Sequence, residues 1–289
     1  MAAAVGSIGE LWRYPVKSMR GEQLTAASLD ARGLHGDRAY ALVAPETGKV
    51  GSAKHPRLWG RLLTCRAEGS ATAGDVRITL PDGHVVLASS DEADAALSAV
   101  LGHPVALRDE PPATPEIERY WPDVEGLDLR DTLTSGTIGR GAPPGTFFDY
   151  APVHLLTTAA LAWLRALCPD AVVAVQRFRP NLVIEPPMGA EGCVEDGWVG
   201  RTLRIGQHVR LRVLTPTPRC VVPTLPQGGD RTHDELPQQI EILRTIAAHH
   251  RPPIPLRGGA KQPSLGVYAV VEQGGAIQLG DEVRLLDGD

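Results

Sequence analysis

Cys220 stands in TPTPRCVVPT, where prolines at 216, 218 and 223 surround a thiol and Arg219 lies beside it. This proline-rich stretch follows the strand-like RLRVL and is expected to form a stiff loop, unable to continue as helix or regular sheet. A neighbouring guanidinium favours thiolate, the form of cysteine that acts as a nucleophile or soft-metal ligand. A lone cysteine is also a small hydrophobe, so a buried structural role is the competing reading. A phosphatase loop does not fit, because Pro226 and not arginine stands six residues on.

The segment Arg177-Phe178-Arg179-Pro180-Asn181-Leu182-Val183-Ile184 carries the second concentration of chemistry. Read as a strand, it alternates: Phe178, Pro180, Leu182 and Ile184 face a core while Arg177, Arg179 and Asn181 face the other way. Adjacent guanidiniums repel unless an anion lies between them, and their planar forks suit phosphate or carboxylate. The competing reading is a solvated face with internal acidic partners. Lys17 and Ser18 follow a strand ending in Tyr-Pro-Val, where a cation and a hydroxyl can meet a ligand. Arg38 opens the strand DRAYALV after a Gly-rich turn, and Thr157 and Thr158 sit at an expected helix N-terminus, a place suited to anions.

The elements that must position these residues read as mostly β. IGELWRYPV is a strand, and DVRITLPDGHVVLA is a hairpin around Pro-Asp-Gly. DEADAALSAVL is a short helix, and APVHLLTTAALAWLRALCP is a strand followed by a helix ending at Pro169. GWVGRTLRIGQHVRLRVLTPT gives two strands. DELPQQIEILRTIAAHHRPP gives an amphipathic helix with Leu236, Ile240 and Leu243 on one face. The tail LGVYAVVEQGGAIQLGDEVRLL reads as a Gly-Gly hairpin. The proline-rich stretch 109–122 breaks every period, so the expected units are 1–115 and 116–289.

Composition narrows the functions. The 289 residues carry 29 Lys+Arg against 34 Asp+Glu, a formal charge of −5, which argues against a general nucleic-acid binder. Glycine (31) and proline (25) favour turns and short elements over long helices. No apolar run approaches the length of a spanning helix and the opening lacks a secretory pattern, so no membrane and a cytoplasmic location are expected. The four cysteines, at 65, 168, 193 and 220, form no CxxC, which excludes a zinc ribbon or ferredoxin-type cluster built by this chain alone. The histidines form no HExxH; His233 and Asp234 are candidate proton relays, with a surface His beside a helix cap as the plainer reading.

Together, YPVKS, GLHGDRAYALV, HLLTTAAL, RFRPNLVIE, EDGWVGRTLRIG, PTPRC and GVYAVVEQGGAIQLGDEVRLL resemble, in order and over nearly the whole chain, the MOSC family, the molybdenum-cofactor sulfurase C-terminal domain. The resemblance is to its two-part form with an N-terminal β-barrel, as in the amidoxime-reducing components. It implies an α+β, mostly β fold: a MOSC-type β-barrel with helices plus a smaller N-terminal β-barrel domain. It also implies a molybdenum cofactor (molybdopterin) with Cys220 as metal ligand and catalytic residue. Lys17, Ser18, Arg38, Thr157, Thr158, Arg177, Arg179, Asn181 and Arg219 would hold the pterin and its phosphate.

The activity implied is reduction of a small N-hydroxylated substrate, an amidoxime or hydroxylamine. The sequence contains neither the fused iron–sulfur domain nor the membrane anchor of some relatives, so a separate electron-donor protein (iron–sulfur, flavin or cytochrome) is expected. The alternatives are a carrier of the molybdenum cofactor, or a sulfur-transfer protein working through a Cys220 persulfide. A β-barrel interaction module without cofactor is the third reading.

Overall fold

The structure is a computed structural model and describes residues 3–70, 75–228, 235–255 and 258–286. Seven strands close into a barrel. In ring order they are Ala3–Arg13, Leu182–Glu185, Val153–Thr157, Ser264–Gln273, Val209–Pro218, Thr202–Ile205 and Glu282–Leu285, the last pairing back onto the first. All of these pairings are antiparallel except that of Val153–Thr157 with Leu182–Glu185. A parallel pair needs a long crossover, and helix Thr158–Leu167 supplies it.

The barrel interior follows the two-residue period of strands. Val153 and Leu155, Leu182 and Ile184, Leu203 and Ile205, Leu211 and Val213, and Val267 and Ala269 all enter one apolar core. Leu156 and Val183, one residue out of step, face outward and pack under Ala160, Leu161 and Leu164 of the crossover helix. Ile242 and Ile246 of helix Glu241–His249 join that layer. Truncating one of these fully buried leucines to alanine would cost about 2–5 kcal/mol.

A smaller β unit fills most of the N-terminal part. Strands Arg66–Glu68, Arg77–Thr79 and Val85–Leu87 form one sheet and Ala41–Val43 pairs with Ala106–Arg108. Helix Ala93–Leu101 covers a core containing Leu42, Trp59, Leu62, Ile78, Val86, Leu97 and Leu107. Val16 and Met19 of the YPVKSM segment belong to this core, while Ile8 and Leu11 of the preceding strand belong to the barrel. Segment 1–115 is therefore not spatially self-contained: its first strand is a stave of the C-terminal barrel, and the chain crosses the seam at Tyr14–Gly21. No helix among the described residues is long and apolar enough to cross a membrane.

Four local expectations change. The RFRPN segment is not a strand: Val175–Phe178 is a helical turn, Arg179 is left-handed (φ 56°), and extended structure begins at Leu182. PTPRC is not wholly a loop, since the strand Val209–Pro218 runs through two prolines, with register shifts at Val213/Thr215 and Pro216/Pro218. The tail is not a two-stranded hairpin. Ser264–Gln273 and Glu282–Leu285 go to different barrel neighbours, and Gly275–Gln278 leaves to pair with Ala26–Asp30. The last helix begins at Glu241, and Leu236 instead bridges Gln227. His233 and Asp234 lie outside the described residues.

Candidate functional site

Among the described residues, four that are not glycine have a left-handed backbone: Ser18 (φ 66°), Arg38 (φ 48°), Asp131 (φ 45°) and Arg179 (φ 56°). This conformation costs an L-residue roughly 1–2 kcal/mol, and such strain gathers where function demands a particular side-chain direction. Three of the four line one cleft at the seam between the barrel rim and the N-terminal unit.

Lys17, Ser18, Arg38, Arg177, Arg179, Asn181, Arg219 and Cys220 all line this cleft. They arrive from four separate segments. Thr157 and Thr158 do not line it. Thr157 is the N-cap of the crossover helix: its hydroxyl accepts from the Ala160 N–H at 3.1 Å and donates to buried Glu195 at 2.7 Å, which removes it from ligand binding. Arg177 lines the cleft but turns its donors to the chain itself. Its Nε donates to the Val172 carbonyl, Nη1 to Pro223 and Leu225, and Nη2 to Pro237 and the Gln239 amide oxygen, at 2.7–3.1 Å. All five of its donors are therefore taken. It braces the loop after Cys220 from beneath.

Arg219 is likewise turned into the protein, not toward the neighbouring thiol. Its Nε donates to the Leu265 carbonyl at 3.0 Å and its Nη1 to the Phe178 carbonyl at 3.2 Å. Its Nη2 meets His154 Nε2 at 2.6 Å and also the Leu265 carbonyl. Asn181, 1% exposed, accepts from the His154 N–H and reaches the Trp12 carbonyl. RFRPN and PTPRC are thereby bound to one another through His154.

The remaining cations are less committed. Lys17 Nζ donates to the Phe147 carbonyl at 2.7 Å and to Asp149 Oδ1 at 2.6 Å, and Lys54 Nζ meets Asp149 Oδ2 at 3.0 Å. Burial lowers Lys17 to about 8, against the pull of Asp149, whereas the two ammoniums hold Asp149 well below the usual carboxylate range. Arg38 pairs with buried Asp37 at 2.5 Å and lies 4.5 Å from the Tyr14 ring centre; Arg179 lies 4.3 Å from the same ring. Arg179 has no carboxylate partner among the described residues, and its Nη2 has no hydrogen-bond partner. Cys220 is a half-buried free thiol.

Sequence reasoning does not find Ser52, Lys54, Asp149, His154 and Tyr268, which also line the cleft. Tyr268 lies 5.5 Å from the Tyr150 ring and 5.7 Å from His154, and burial raises its phenol. His154 and Tyr268 do lie inside family motifs, HLLTTAAL and GVYAVVEQ. Ser52, Lys54 and Asp149 carry no local signal; the Lys17 partner Asp149, for one, is 132 residues away.

The cleft thus surrounds a thiol with Lys17, Arg38, Lys54, Arg179 and Arg219, while Asp149 is the carboxylate among its lining residues. Such an excess of buried positive charge is costly until an anion enters. No three His, Cys, Asp or Glu side chains converge as a metal nest among the described residues. A metal at Cys220 would take its other ligands from a bound organic group. The donor set fits an anionic, metal-bearing organic cofactor.

The MOSC domain model matches residues 143–284, and the MOSC N-terminal beta barrel domain model matches residues 5–110. Mitochondrial amidoxime-reducing component 1 of Homo sapiens is 27% identical over 302 residues, covering 98% of this chain and 83% of that protein. Mitochondrial amidoxime reducing component 2 of Rattus norvegicus is 26% identical over 308 residues, with 98% and 84% covered. Among solved structures, the YUAD protein from Bacillus subtilis aligns over 100% of this chain and 98% of its own at 12% identity and a TM-score of 0.38. Matched by both domain models in order, the chain belongs to the MOSC family, in the two-part form whose MOSC domain follows an N-terminal β-barrel.

Proposed function

We propose that this protein binds a molybdenum cofactor through Cys220 and reduces small N-hydroxylated compounds with electrons from a separate donor protein. The observation that carries the reading is the convergence of five cations on one half-buried thiol in a MOSC chain, with Asp149 as the carboxylate among the residues lining the same cleft. When bound, the cofactor supplies two-electron removal of an oxygen atom from nitrogen. The chain supplies ligation, orientation and protons.

Cys220 would ligate the metal through its sulfur, and Arg177 braces the loop that follows it. Arg38 and Arg179, both close to the Tyr14 ring, would hold the pterin and its phosphate together with Lys17 and Ser18. Lys17 Nζ, brought near neutrality, can hold and release a proton at working pH, and Asp149 Oδ1 receives its hydrogen bond in either state. Tyr268 keeps its hydroxyl proton and so remains a donor within the cleft.

The test is molybdenum per chain in protein made by a cofactor-competent host, followed by reduction of an amidoxime with an artificial donor. Near-stoichiometric metal that falls sharply in Cys220→Ala, together with turnover, supports the reading. Metal-free wild type overturns it. Metal with no turnover leaves a cofactor carrier.

A further inference from the structure

A second cavity shares Arg179 with the Cys220 cleft and lies at the seam where the first barrel strand turns into the N-terminal unit. Its wall includes Tyr14, Gly21, Arg66, Arg179 and Gln227, and no carboxylate among the described residues. Tyr14 is 1% exposed and Gln227 2% exposed, yet the Tyr14 hydroxyl, the Gln227 Nε2 and the Arg179 Nη2 all lack hydrogen-bond partners. Buried donors are nearly always satisfied, so three orphans around one cavity call for an acceptor.

The orphans are also held in place. Gln227 exchanges both backbone hydrogen bonds with Leu236, at 2.9 and 2.8 Å. The Tyr14 ring is flanked by the Arg38 and Arg179 guanidiniums, and Arg179 Nη1 is anchored on the Met19 carbonyl at 2.5 Å. At Gly21 a Cβ would overlap the Arg13 carbonyl oxygen and lie 2.6 Å from the Tyr14 ring, so only glycine lets the chain pass this close. Arg66 adds charge to the wall while meeting Glu68 at 2.8 Å.

We propose that this cavity is a second anion site, which takes a phosphate-class oxyanion against the Tyr14 hydroxyl, the Gln227 amide and the unpaired edge of the Arg179 guanidinium. A tetrahedral oxyanion offers several acceptor oxygens and the charge that Arg179 lacks. Burial keeps the Tyr14 phenol protonated, so it acts as a donor. Because Arg179 also lines the Cys220 cleft, an anion here would offset part of the cation excess there.

The test is titration calorimetry of the full chain, purified free of phosphate, with inorganic phosphate as probe. Saturable binding is expected, weakened about tenfold by Tyr14→Phe and by Gln227→Leu, each of which keeps the packing, and unchanged within about twofold by Lys54→Met. No saturable heat overturns the site. So does an affinity that neither Tyr14→Phe nor Gln227→Leu alters, or one that Lys54→Met weakens equally, which would seat the ion in the cleft. Repeating the titration on metal-loaded protein tests whether the site is separate from the cofactor cleft. Binding that persists on loading is expected of a separate site, and binding lost on loading overturns it, because the ion would then be seated where the bound group lies. If the protein carries no metal, the first titration still decides the site on its own.

Discussion

His154 Nε2 lies 2.6 Å from Arg219 Nη2, so the imidazole presents its lone pair to the guanidinium and is held neutral with its proton on Nδ1. Burial, reinforced by Arg219, holds its pKa well below the usual histidine range. The residue next to Cys220 is thereby pinned by a base that cannot charge without breaking the contact.

Acid should therefore destabilise the protein through His154. Its folded pKa lies below its unfolded one, so the unfolded chain binds the proton first. The contribution is fully present above about pH 6.5 and is lost as pH falls below it. Denaturant unfolding at about pH 5 and about pH 7.5 should show this slope in wild type and a shallower one in His154→Gln. An equal slope in both would remove His154 as its source.

Gly266 makes room for the same pair. It is left-handed (φ 76°), and a Cβ there would lie 2.5 Å from the Leu155 carbonyl oxygen and 2.7 Å from His154 Nε2. Gly266→Ala should cost about 2–4 kcal/mol and reduce metal per chain. Retained metal with lowered stability would confine Gly266 to a folding role.

Glu195 carries the opposite pH signature. It is buried beneath Thr157, and desolvation raises its carboxyl to about 7. The folded state holds this proton more tightly than the unfolded state. Stability is therefore lost as pH rises from 4.5 to about 7. Glu195→Gln should remove that loss and stabilise the protein above neutrality by up to about 3 kcal/mol. Thermal unfolding at about pH 8 checks the sign.

Arg177→Met should be among the most damaging single changes outside the barrel core. It leaves the carbonyls of Val172, Pro223, Leu225 and Pro237 without their donor, at a cost of about 3–5 kcal/mol. Arg177→Lys should recover only part of this, since one ammonium cannot span five acceptors. Melting temperature, and limited proteolysis of the loop after Cys220, report the two effects.

Several features are legible in the chain itself. Alternating apolar runs specify the barrel staves Thr202–Ile205 and Val209–Pro218, and Thr157 followed by an apolar period specifies the crossover helix. Lys17, Ser18, Arg38, Arg179, Asn181 and Cys220 stand out because unlike charged, polar and thiol residues in turn-rich segments are poorly explained by packing alone, and they do meet in one cleft.

What the sequence does not specify is direction. Arg177 and Arg179 are two residues apart in a pattern that suits a strand, but a helical turn and one left-handed residue separate them. One braces the Cys220 loop and the other faces the cleft. The same holds for Asp149 between Lys17 and Lys54, and for His154 against Arg219, contacts that span 65 to 132 residues. Periodicity is a property of neighbours along the chain. These pairings arise only when closure of the barrel brings its rim against the N-terminal unit, and burial then makes each unpaired charge too costly to leave alone.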